Sequence, residues 1–124
     1  MAPPRIKRIH KMIEAALEDL PEQYADALDN LVFRIERAIM PRDRRRLGLG
    51  NATLYGLYEG VPLTHRTSGY DRVLPDRITL YWGPLLRDFP DDDDLEEQVR
   101  ITLYHEIAHY FGIDEEGLHG TRVQ

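Results

Sequence analysis

The stretch DDDDLEEQVRITLYHEIAHYFG, residues 91–112, does most to limit what this chain can fold into. Leu95, Val99, Leu103, Ile107 and Phe111 recur every four residues. That spacing lines them along one face of an α-helix, in a stretch longer than an ordinary strand. Aspartates crowd the start, where a helix N-terminus favours negative charge and an aspartate can cap it. Gly112 stands where a left-handed residue would end the helix. The pattern predicts one long helix whose apolar stripe must be buried against other elements.

What precedes it supplies those elements. Ile6, Ile9, Met12, Ile13, Ala16, Leu17 and Leu20 follow steps of three and four, which predicts an amphipathic helix over 6–20. Pro21 stops it and opens a short helical turn in PEQYADAL. NLVFRIERAIM alternates, with Leu31, Phe33 and Ile35 on one side and Arg34 and Glu36 on the other, and reads as a half-buried strand. PRDRRRLGLGN reads as a basic connection, TLYGLYEGVPL as a second short strand and THRTSGYDRVLPD as a loop. RITLYWGPLL reads as a third strand. Because Pro84 cannot donate to a ladder, that end is expected to lie at a sheet edge or to leave the sheet. Helix, strands, helix in 124 residues make a single α+β domain spanning 1–124: a small mixed sheet packed on two helices.

The chain contains no cysteine, so disulfides, thiolate metal sites and cysteine nucleophiles are excluded. Any metal must be held by His, Asp or Glu. A net charge of -6 argues against nucleic acid or an anionic membrane as the main partner, since both would repel the chain. No apolar run has the length of a membrane span, and the start lacks the continuous apolar core of a signal peptide. A cytoplasmic location is the expectation.

His105, Glu106 and His109 carry the chemistry. Residues four apart on a helix lie about 40° from each other around its axis, so the two imidazoles can converge on one ion. Glu106, turned off that line, is placed to reach a water held by the ion without ligating it, as in an H-E-x-x-H hydrolase. A catalytic zinc takes three protein ligands. One known solution turns at the glycine and uses the residue three beyond it, here Glu115. Asp114, Glu116 and His119 are competitors within the next turns. The alternative reading is a surface helix with two solvated histidines and a solvated glutamate.

LYHEIAHYFGIDEEGLHG, with GLYEGVPLTHRTSG and LPDRITLYWGPLL upstream, resembles the minimal zincin family of small bacterial metallopeptidase-like proteins over about Ala15 to His119. The resemblance implies a zincin-like α+β fold, one zinc ion on His105 and His109, Glu106 as catalytic acid/base and an acidic third ligand that maps to Glu115. It implies a peptidase acting on peptides or unfolded protein segments. Such a substrate could add to the edge of RITLYWGPLL. Tyr81, Tyr104, Tyr110 and His65 are the candidates for a second oxyanion donor. Glu115 stands where the metzincin pattern has a third histidine. The rival expectation is a zincin-fold module, weak or inactive in catalysis, that binds metal or a peptide or protein partner. Its support is the short stretch of 12 residues after Gly112.

Other signals are weaker. RDRRR in an acidic chain reads as a solvated loop, and the G-x-G of GLGNATLYG lacks a following helix. DDDD lacks the spacing of a calcium loop. His10 reads as a surface histidine, and Ser68 has no visible partner as a nucleophile.

Overall fold

The computed structural model describes residues 4–60 and 76–112. Helix α1 (Pro4–Glu18) leads into the short α2 (Glu22–Ala25) and a 3₁₀ turn (Asp26–Leu28). Strand β1 (Leu31–Glu36), helix α3 (Pro41–Arg46), strands β2 (Gly56–Glu59) and β3 (Asp76–Tyr81), and helices α4 (Trp82–Asp88) and α5 (Asp92–Phe111) follow. The sheet is mixed, in the order β1-β3-β2. β3 runs parallel to β1, with Leu31 opposite Asp76, and antiparallel to β2, with Gly56 opposite Leu80.

The long helix forms where its ends demand it. The Asp91 side chain accepts hydrogen bonds from the Asp93 and Asp94 amides at 3.1 and 3.2 Å, and Gly112 closes the helix at φ 84°. Leu95, Val99, Leu103 and Ile107 are buried in one core with Ile9, Ile13 and Ala16 of α1 and Ile78 and Leu80 of β3. The sheet thus packs on the N-terminal helix and on the helix that carries the two histidines. α5 packs tightly on the sheet at Gly56, where a Cβ would lie 2.6 Å from Thr102 Cγ2 and 2.9 Å from Leu80 Cδ2. Only glycine admits that approach.

RITLYWGPLL is a strand only as far as Tyr81, and there the chain leaves the sheet, one of the two outcomes expected of Pro84. β3 is the central strand, paired on both sides, and the chain turns at Tyr81 directly into α4. Pro84 sits in the first turn of that helix, where its missing N–H costs nothing. Gly83 donates its N–H to the Arg37 carbonyl at 2.8 Å, and a Cβ there would lie 2.6 Å from that oxygen. An apolar run crossing a strand–helix junction carries no period that marks the change. The basic connection also differs, since PRDRRR forms α3 with Pro41 in its first turn.

On the other face of the sheet Tyr81 packs with Ile39 and Leu54 in a smaller core. Burial, then the carboxylates of Glu59, Glu36 and Asp43, push its hydroxyl up from 10.0 to about 12, against the pull of Arg77. The fold therefore holds the neutral phenol. An unfolded Tyr81 ionises near 10.0, so this contribution is complete below about pH 10 and is lost as pH rises towards about 12. Tyr81→Phe should lessen the alkaline loss of stability. Tyr55, also raised to about 12, will retain part of it. Denaturant unfolding of both proteins on either side of about pH 10 checks this.

Candidate metal centre

The centre is built on the last two turns of α5. The rings of His105 and His109 meet edge to face, with centroids 4.5 Å apart. One ligand atom each from His105, Glu106 and His109 lies within 4.8 Å of the others. His105 is 6% exposed and Glu106 2%, and the His109 side chain is 31% exposed. The group therefore opens outward through His109. The alternative of two solvated histidines and a solvated glutamate does not hold, because His105 and Glu106 are buried.

Glu106 makes a contact that the spacing alone did not reveal. Its Oε1 lies 3.2 Å from His109 Nδ1. An ionised carboxylate only accepts, so Nδ1 carries the proton and Nε2 is the nitrogen with a lone pair to offer an ion. A carboxylate that orients an imidazole in this way is a common partner of metal-ligating histidines. The C-terminal end of α5 adds the negative end of the helix dipole, which also favours a cation. Two imidazoles and a carboxylate, close together and largely shielded from water, form a donor set suited to a divalent ion such as zinc. Glu115, Asp114, Glu116, His119 and His65 lie outside the described residues.

The tyrosines proposed as oxyanion donors have other duties. Tyr104 donates to the Ala16 carbonyl at 2.7 Å and so ties α5 to α1. Tyr110, 1% exposed, donates to the Ala27 carbonyl at 2.9 Å. Tyr81 sits in the small core on the opposite face of the sheet. Two residues of the sheet that sequence reasoning passed over also bear on α5. Asp76, 2% exposed at the start of β3, accepts from the Tyr58 hydroxyl at 2.7 Å. The Tyr58 ring meets the Tyr110 ring edge to face at 6.0 Å. This chain of contacts braces β2 against the helix. An aspartate at a strand start looks like any turn residue until the fold buries it.

A long capped helix beneath a mixed sheet, of three strands among the described residues, with a paired-histidine donor set on its last turns, defines a zincin-like architecture. The sequence matches the family model described as zincin-like metallopeptidase over residues 28–123, and the chain belongs to that family. It is also similar to a conserved hypothetical protein from Thermus thermophilus at 25% identity, with a TM-score of 0.59, covering 86% of this chain and 94% of that one. No curated protein matches significantly. Among the described residues, no helix is long and apolar enough to cross a membrane.

Proposed function

We propose that this protein is a zinc-dependent peptidase that hydrolyses peptides or unfolded protein segments, with the cytoplasm as its expected compartment. The observation that carries the reading is the buried group of His105, Glu106 and His109, with its donor atoms within 4.8 Å of one another on the zincin helix. His105 and His109 would hold the ion, with Glu115 as the third ligand. When bound, zinc would supply Lewis acidity to a water and to the scissile carbonyl.

Glu106 does the proton work. Its Oε1 is engaged by His109, so Oε2 is the atom we assign to the proton of the attacking water. The hydroxyl adds to the carbonyl carbon, the C–N bond breaks, and Glu106 returns the proton to the leaving amine. An extended substrate cannot add to β3, whose edges are both paired. Among the described residues β2 pairs with β3 alone, and its outer edge, braced against α5 through Gly56 and Tyr58, is where we place it.

One observation favours a second reading, a metal- or partner-binding module with little catalysis. The Glu106 side chain is 3% exposed and already committed to His109. A carboxylate held there could serve only to orient the ligand. Incubation with a mixture of labelled unstructured peptides separates the two. Hydrolysis that stops with a chelator and returns with zinc supports the peptidase. Peptides left intact by zinc-loaded protein favour the module.

A further inference from the structure

On the flank of α5 away from its histidines lies an apolar groove of about 160 Å³, lined by Leu20, Tyr24, Tyr104, Ile107, Ala108 and Phe111. At about 100° per residue, its helix residues point roughly 130° around the axis from His105 and His109. Both walls are fixed in place. On one side Arg100 bonds the Tyr104 hydroxyl at 3.1 Å and pairs with Asp19 at 2.7 Å, while Tyr104 itself is tied to the Ala16 carbonyl. On the other, Tyr24 meets Phe111 edge to face at 5.4 Å. Tyr24 stays 43% exposed at the rim of the groove.

The charge around the groove is one-sided. The segment that supplies Leu20 and Tyr24 carries Glu14, Glu18, Asp19, Glu22, Asp26 and Asp29, all exposed, and has no Lys, Arg or His between Lys11 and Arg34. Arg100, the cation at the wall, is already neutralised by Asp19. An apolar trough between helices with an acidic surround is complementary to one kind of ligand. We propose that this groove docks an amphipathic helical segment of a partner protein, with Leu, Met or Phe anchors in the trough and Lys or Arg facing the acidic side. An anionic membrane or an acidic peptide would be repelled by the same charges. This surface is separate from the metal centre and does not depend on the peptidase reading.

The test uses two fluorescein-labelled helical peptides, one of Leu and Lys in an amphipathic pattern and one with Glu in place of Lys, titrated by fluorescence anisotropy against the full chain. The Leu/Lys peptide should bind at least about tenfold tighter than its Leu/Glu counterpart. Tyr24→Ala should weaken it by about tenfold, and Glu22→Lys, at an exposed position, by several-fold with less salt dependence. Amide shifts on binding should centre on Tyr24, Ala108 and Phe111. Equal affinity for the two peptides would overturn the proposal, as would parent-like binding by Tyr24→Ala. Shifts centred on Gly56 to Glu59 would do the same, because they would mark the peptide as a strand ligand of β2.

Discussion

Glu106→Gln should lower peptide hydrolysis by about 10²–10⁴-fold while leaving the zinc content of the protein unchanged. The amide has nearly the shape of the carboxylate, so the helix and its packing should survive at a site only 2% exposed. Its oxygen can still accept from His109 Nδ1, now 3.2 Å from Glu106 Oε1, so the imidazole should keep its orientation. What the amide cannot do is take a proton from water. Steady-state rates on a labelled peptide, beside metal analysis of the same preparation, check this. Full activity in the variant would remove Glu106 from the proton transfer. Lost activity together with lost zinc would instead make Glu106 a support for the metal, as the second reading has it.

His109→Ala should abolish the stabilisation that zinc confers. An ion that binds only the folded chain adds about 2.7 kcal/mol when its free concentration is 100 times its dissociation constant. The parent should therefore melt at a higher temperature in zinc than in chelator, and the variant should melt at one temperature in both. The variant should also be weaker than the metal-free parent, because Glu106 loses the contact its buried carboxylate makes with His109. Thermal scans of the two proteins with and without zinc read both effects. An equal zinc shift in parent and variant would show that the ion sits elsewhere.

How far the sequence could be read follows from where each constraint lies. The bounds of α5 were legible because they are local: Asp91 caps through amides two and three residues on, and Gly112 turns three residues after His109. The facing of His105 and His109 was legible for the same reason, since helical spacing alone sets it. The place of β3 was not. Being central depends on pairing with Leu31–Glu36, some 45 residues earlier in the chain, and Pro84 allowed either an edge or an exit from the sheet, of which the exit occurs, with Pro84 in the first turn of α4. The tyrosines were misjudged on similar grounds. The hydroxyls of Tyr104 and Tyr110 end on the carbonyls of Ala16 and Ala27, partners that only the packing of α5 against the N-terminal segment could reveal. Asp76 and Tyr58 stayed hidden because burial of an aspartate leaves no trace in local pattern.

The peptidase reading requires an ion on α5, which makes metal content of the tag-free purified protein the most direct measurement. The expected result is about one zinc per chain in the parent and almost none in His105→Ala, whose imidazole is nearly buried within the donor group. A parent that holds no divalent metal, even after dialysis against zinc, would contradict the account.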